Sequence, residues 1–279
     1  MFHKIILIKK IAKKLGLHKN AFVLKAYQKI LEIRYNIPNQ DGVVCDIVLD
    51  LKIKNWNPTT GGMARSIYLN HVFEQTVTKF FLSKLKPDMC VIDVGSDNGY
   101  YSIIFGKLVG DRGKVISFEP IPWAYERTLE NVKLNNLNNV VVNNFALSDE
   151  NGFAFMIDPG NDSRISTNSD AESILGKMEI KLEKFDDYLL KNPEKKIDFI
   201  KIDCEGAEMN ILLGMKDVID IFNPKFLVEI HREKLKLFDK TEVDIFNFME
   251  GQGYKHEIIN KVDGGIEEYH VYFYKNTLT

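Results

Sequence analysis

The chain has 279 residues, 45% apolar and 27% charged, enough to bury a full-sized core in one large domain or two small ones, and disorder is excluded as the default. The formal charge of -2 hides an asymmetry: the first 35 residues carry nine cations against one acid, Glu32, leaving 28 basic and 38 acidic residues in the remainder, a balance of -10. An acidic body argues against general nucleic-acid binding, which needs clustered Lys and Arg, and no apolar run approaches the roughly eighteen residues that cross a bilayer.

In chain order, Phe2 to about Arg34 reads as one or two amphipathic helices, with Ile5, Ile8, Ala12 and Leu15 at helical spacing among lysines. Such a segment either packs on the rest of the fold or lies on an anionic membrane surface, so residues 1–35 mark a candidate peripheral contact with the inner face of a membrane. Lys9 and Lys10 interrupt the first apolar stretch, which therefore does not read as a secretion signal. Cys45, Cys90 and Cys204 are odd in number and far apart, which fits reduced thiols, and a cytoplasmic location is expected. Pro38 to Gly42 marks a turn, Val43 to Ile53 alternates as strands do, and Asn55 to Gly62 is a loop. A helix is expected over His71 to Leu85, ending before Pro87.

From there short apolar runs alternate with helical patterns, the mark of a mainly parallel sheet covered on both faces. The expected strands are Cys90–Val94, Val115–Phe118, Val140–Val142, Ile197–Ile202 and Phe226–Ile230, and the expected helices are Tyr100–Val109, Trp123–Asn135 and Ala207–Val218. Phe153–Ile157 suggests a further strand, followed by a polar loop, Asp158 to Asp170. Tyr254–Ile259 and Tyr269–Tyr274 read as a hairpin turning at Asp263-Gly264-Gly265. The organisation is thus an N-terminal basic helical segment and strand pair, 1–64, and a doubly wound α/β domain, 65–279.

The run Cys90-Val91-Ile92-Asp93-Val94 leads straight into Gly95-Ser96-Asp97-Asn98-Gly99 and then a helix, placing a glycine-bearing turn at the edge of the sheet where ligands bind. Gly95 permits the tight turn and Gly99 lets the helix pack closely. The middle glycine of the pyrophosphate fingerprint is missing and Asp97 would face any phosphate, so a dinucleotide is disfavoured. Glu119, in Phe118-Glu119-Pro120, falls 24 residues after Gly95, where an acid can take hydrogen bonds from both hydroxyls of a ribose. Together these call for a nucleoside without phosphates, of which S-adenosylmethionine is the common example.

Four segments carry a more specific resemblance: Asp93-Val94-Gly95-Ser96-Asp97-Asn98-Gly99-Tyr100-Tyr101-Ser102, Phe118-Glu119-Pro120, Ala146-Leu147-Ser148-Asp149, and Ile200-Lys201-Ile202-Asp203-Cys204-Glu205-Gly206-Ala207-Glu208. Across roughly residues 65 to 232 the chain resembles the FkbM family of methyltransferases, and Ile67-Tyr68-Leu69 with Glu74 resembles that family's entry segment. The resemblance implies the class I methyltransferase fold, a Rossmann-like seven-stranded sheet with one antiparallel strand, and O-methylation of sugars or natural products with S-adenosylhomocysteine as the spent cofactor. It places Asp93, Gly95, Ser96, Asn98 and Gly99 around the methionine end, Glu119 with Pro120 at the ribose, and Ala146 with Leu147 at the adenine. Asp203 stands where cofactor and acceptor meet, and Glu74 is a further candidate near the methionine group. Many class I enzymes read the adenine amine with an acid where this chain has Ala146, so Asn144 or Ser148 would supply any side-chain contact, and Trp123 either covers the adenine or packs its own helix.

Transfer to a hydroxyl needs alignment and removal of a proton. The strand ending Lys201-Ile202-Asp203 and the one ending Glu229-Ile230-His231 open onto the same edge as the glycine turn. Charges in central strands need partners or chemistry to do, which makes Lys201, Asp203, Glu205 and His231 the candidate catalytic residues. Asp203 and Glu205 position the acceptor and His231, with its ordinary pKa near neutrality, is the candidate base. A purely structural ion pair of Lys201 with one of these acids stays open. The same acids with a His can hold a divalent cation, but no metal ligand set is favoured. The rivals are N-methylation, against which the absence of an Asn/Asp-Pro-Pro-Tyr run after the fourth strand counts, a nicotinamide oxidoreductase on a similar sheet, and a binding module without catalysis.

Overall fold

The apolar runs of the second half pair side by side, because strands buried on both faces lose solvent on each side only within a sheet that helices cover. The computed structural model describes residues 29, 33, 41–56, 58, 62–157, 164–166, 177–261 and 268–276. Of the segment Phe2–Arg34 only Lys29 and Ile33 are described, both helical, so the amphipathic helices and the membrane contact expected there lie outside the described residues, as does the turn at Asp263–Gly265.

Two units divide the chain, one of residues 1–47 and 53–73, the other of residues 48–52 and 74–279. In the first, β1 (Val43–Asp46) pairs with β2 (Lys52–Asn55), and α1 (Gly62–Asn70) follows. The buried Asn55 amide ties them together, donating to the Ala64 carbonyl at 2.6 Å.

The second unit opens with α2 (Gln75–Lys84), then β3 (Cys90–Val94), α3 (Tyr100–Val109), β4 (Lys114–Phe118), α4 (Pro122–Leu134) and β5 (Val140–Asn143). It continues with β6 (Ala146–Leu147), β7 (Gly152–Ile157), β8 (Arg164–Ser166), β9 (Lys177–Glu183), α5 (Phe185–Lys191), β10 (Phe199–Ile202), α6 (Glu208–Leu213), α7 (Lys216–Phe222) and β11 (Lys225–His231). The short α8 (Arg232–Leu235), then α9 (Glu242–Gly251), β12 (Lys255–Lys261) and β13 (Glu268–Tyr274), complete it. The central sheet has seven strands in the order β12-β13-β11-β10-β3-β4-β5, with β13 antiparallel to both neighbours and the other pairs parallel. This is the class I methyltransferase fold expected from the sequence, α/β, Rossmann-like and doubly wound. A second sheet, β6-β9-β7-β8, includes the strand expected at Phe153–Ile157.

Period-2 alternation sorts the sheet's side chains. Ile92, Val94, Ile116, Phe118, Ile200, Ile202, Phe226, Val228 and Ile230 join Met209 and Leu212 of α6, Ile219 of α7 and Met215 between them in one buried cluster. On the other face Phe81 and Phe105 pack edge to face at 4.6 Å, and Phe81 meets Phe199 at 5.7 Å. Fully burying each such ring stabilises by about 1.5–3 kcal/mol.

Three boundaries differ from the sequence reading. The helix expected from His71 starts only at Gln75, because His71 (φ 59°) and Glu74 (φ 40°) adopt left-handed backbone. The helix expected over Ala207–Val218 is broken into α6 and α7 at Gly214, where any Cβ would overlap the Ser148 carbonyl. Most of the loop expected at Asp158–Asp170 lies outside the described residues, and its Arg164–Ser166 forms β8.

Candidate active site at the carboxyl edge of the sheet

β3 ends in the glycine turn, and the turn is shaped by what lies behind it. Gly95 sits at φ 79°, which favours glycine, and a Cβ there would collide with the Asp203 carbonyl and come within 3.0 Å of the Cys204 sulfur. Gly99, at φ 82°, begins α3 pressed on Thr128, 2.9 Å from where its Cβ would stand. The two glycines thus hold β3's exit against the end of β10 and against α4.

Glu119, at the end of β4, is buried, and both its oxygens are engaged: Oε2 accepts the Asp97 N–H at 2.8 Å and Oε1 the Ile121 N–H at 3.0 Å. Each carboxylate oxygen can accept a second bond, so the group is oriented and still able to take two hydroxyls. Burial pushes its pKa up to about 8, against the pull of the Ile121 N–H. Asn144 donates to the Glu119 carbonyl at 2.8 Å and to that of Pro120 at 3.1 Å, bracing the same turn, while Ser148 donates to Asp149 at 3.1 Å. Ala146 packs with Ile121 and Ala124 in an apolar cluster and Leu147 joins the main core. Trp123 is 38% exposed, with the Arg127 guanidinium 4.5 Å from its ring centre.

Inside the turn Ser96 and Asn98 are buried, the Ser96 hydroxyl lies 3.5 Å from that of Thr128, and the Asn98 carbonyl accepts from Asn131 at 2.7 Å. The Asn98 Oδ1 and the Asp93 Oδ1 are buried with no hydrogen-bond partner. A nucleoside ligand carrying donors at its amino-acid end matches such acceptors; a pyrophosphate does not.

Strand register gathers the charged groups. Lys201 of β10 stands beside Asp93 of β3, and Glu229 of β11 beside His270 of β13. Lys201 is 2% exposed, with its Nζ 3.2 Å from Asp203 Oδ2, 3.7 Å from Asp93 Oδ1 and 5.1 Å from the Tyr101 ring centre. Burial alone would lower its pKa, but Asp203, Asp93 and Glu74 overcome that and hold it charged. Against the upward push of burial, Lys201 and His231 hold Asp203 below the usual carboxylate range. Asp93 accepts the Ser102 hydroxyl at 2.6 Å and is pushed up by burial.

His231 closes β11 with Nδ1 2.8 Å from Glu208 Oε1, and its Nε2 lies 3.5 Å from Glu205 and 3.9 Å from Asp203. Burial acts to lower its pKa, and the bond to Glu208 with the charges of Glu208, Asp203 and Glu229 outweighs it, to about 9. Glu205 also pairs with Lys234. Cys204 packs against the glycine turn and burial holds its thiol protonated, so it offers no nucleophile.

Of the residues singled out in the sequence, Lys201, Asp203, Glu205 and His231 are thus brought together, Asp93 reaches them through Lys201, and Gly95 touches them through the Asp203 backbone. Ser96, Asn98, Gly99, Glu119 and Pro120 form the adjoining turn. Glu74, before α2, accepts the Tyr101 hydroxyl at 2.8 Å and lies 3.8 Å from His270. Sequence reasoning missed Glu208 and His270. The first was readable only as the start of a helix, and the second becomes visible only once β13 is set beside β11.

Residues 93–256 match the family model described as the methyltransferase FkbM domain. Among curated proteins the chain is similar to the hexuronic acid methyltransferase AglP of Haloferax volcanii, 30% identical over 159 residues, covering 57% of this chain and 62% of that protein. It is also similar to Methyltransferase 1 of Beauveria bassiana, 24% identical, covering 47% and 59%. The chain therefore spans about three fifths of the length of these curated relatives. A solved methyltransferase FkbM from Methylobacillus flagellatus superposes with a TM-score of 0.46 at 18% identity, covering 76% of this chain and 54% of that one.

Proposed function

Because the chain belongs to the FkbM family of S-adenosylmethionine-dependent methyltransferases, we propose that it transfers the methyl group to a hydroxyl oxygen of a sugar or glycan. When bound, S-adenosylmethionine supplies an electrophilic methyl on a sulfonium. In this reading Glu119 takes the ribose hydroxyls with Pro120 beside them, Ala146 and Leu147 border the adenine, and Asp93, Gly95, Ser96, Asn98, Gly99 and Glu74 surround the methionine end. The Gly95 cradle and the Asn98 Oδ1, buried without a hydrogen-bond partner, fit that ligand, with the Asp93 carboxylate held beside them by Lys201.

The acceptor side belongs to the end of β10 and β11. The bond between Glu208 and His231 Nδ1 carries the reading, because it fixes the ring so that Nε2 faces the space beside Asp203 and Glu205. With its pKa raised to about 9, the carboxylate-backed imidazole receives the proton of a hydroxyl that Asp203 and Glu205 orient only after losing its own, so turnover should rise with pH toward about 9. Lys201, buried under Asp203, acts through it as a positioning residue.

Similarity to a hexuronic acid methyltransferase supports a sugar acceptor. Such an acid offers hydroxyls and a carboxylate. A carboxylate would face Asp203 and Glu205 at close range, where like charges repel, so a neutral hydroxyl is the better partner and the expected product is a methyl ether. The test is to incubate the chain with S-adenosylmethionine and a panel of hexoses, hexuronic acids and their glycosides, then treat the products with alkali. An ether survives. An alkali-labile ester or an N-methyl product would refute the reading.

A further inference from the structure

Beside the acceptor groups lies a second cluster that shares Glu74 with the proposed cofactor pocket but adds two residues, Glu229 and His270, to which no part in methyl transfer is assigned. His270 of β13 is 3% exposed, and neither of its ring nitrogens has a hydrogen-bond partner. A buried imidazole with both nitrogens unmet is costly. Its Nε2 is aimed between two carboxylates from separate parts of the unit, 3.6 Å from Glu229 Oε2 and 3.8 Å from Glu74 Oε2. One ligand atom from each of the three residues lies within 4.8 Å of the others.

We propose that Glu74, Glu229 and His270 form a binding site for one divalent transition ion of the Zn(II) or Mn(II) class. One imidazole and two carboxylates suit such ions, whereas Mg(II) and Ca(II) favour oxygen donors throughout. An ion about 2.0–2.2 Å from each donor sets neighbouring donors roughly 3–3.5 Å apart, and small side-chain shifts bring the observed separations to that range. The Tyr101 hydroxyl, 2.8 Å from Glu74 Oε2, orients that carboxylate as outer partners of metal ligands do. Lys201, the buried cation nearby, is already matched by Asp203 and Asp93. Glu74 is about one fifth exposed, which leaves the cluster a route to solvent.

The experiment titrates the whole chain, freed of metal by a chelator, with Co(II) alone, following its visible absorption, and with Zn(II) alone by calorimetry. About one equivalent is expected to bind, with His270→Gln and the isosteric Glu229→Gln each weakening binding by about 10–100-fold or more and His231→Gln changing it less than about twofold. Circular dichroism and S-adenosylhomocysteine affinity check that each variant is folded, and Glu229→Gln serves if His270→Gln is not. No uptake by the wild-type chain, or uptake that both substitutions leave intact, overturns the site. Uptake abolished by His231→Gln and kept by His270→Gln overturns it too, moving the ion to the group of Asp203, Glu229 and His231. Since neither readout involves methyl transfer, the result is independent of the acceptor assignment above.

Discussion

In the proposed reading Glu119 couples cofactor binding to pH. Its raised folded pKa, about 8 against an ordinary 4.5, means that the folded chain without ligand binds more protons than the unfolded chain between those values. The stability it contributes is complete below about pH 4.5 and is lost as pH rises through about 8. In that reading ribose hydroxyls donate to the ionised carboxylate, so S-adenosylhomocysteine should bind more tightly as pH rises from 6 to 8. Glu119→Gln should weaken binding and flatten that slope; calorimetry at three pH values reads both, and an unchanged slope would remove Glu119 from the ribose. At the acceptor end, His231→Gln and Glu208→Gln should each lower kcat by roughly 10²–10⁴-fold, with cofactor Kd within about twofold. Equal loss of affinity would place the dyad on the wrong side of the site. Asp93, Glu119, Asp203 and His231 were legible in the sequence because charged or titratable residues at the ends of apolar runs stand out. Glu208 and His270 were not, since what matters in each is a partner supplied by another element: His231 for the first, Glu229 and Glu74 for the second.

At the scale of elements, the exit of β3 is the tightest junction in the site. Gly95→Ala adds a methyl against the Asp203 carbonyl and forces a left-handed backbone on an L residue. A cost on the order of 1–3 kcal/mol is expected for the strain, seen as a lower urea midpoint. Because the same shift displaces Asp203, cofactor affinity and turnover should fall together; an alanine variant with wild-type kcat and Kd would show that β10 does not rest on the turn as described. The strands and helices from Cys90 to Val142 were readable almost to the residue, since unbroken apolar runs and Gly or Pro punctuation are local signals. β9 and α5 were missed, because Lys177–Glu183 alternates charge with apolar residues in a second sheet that the main pattern does not announce.

For the whole molecule, ligand binding and folding are linked through the sheet's open edge. If the cofactor binds only the folded chain, S-adenosylhomocysteine at 100 times its Kd adds about 2.7 kcal/mol of stability, and Tm should climb with ligand concentration. NAD at the same concentration should leave Tm unchanged, as the missing pyrophosphate fingerprint requires; a shift with NAD alone would contradict the cofactor assignment. The seven-stranded sheet itself was anticipated through a family likeness as much as through periodicity. The order of its strands depends on crossovers that no single segment encodes.

That order has a kinetic consequence. β13 follows β12 in the chain yet lies between β12 and β11, so β12 has no place in the sheet until its successor has been made and inserted. Until then the flank of β11 carries a row of free amides and carbonyls, the kind of template that recruits a strand from another molecule. β12 can therefore join only with or after β13, and a nascent or nicked chain lacking both strands leaves that flank of β11 open to association with another molecule.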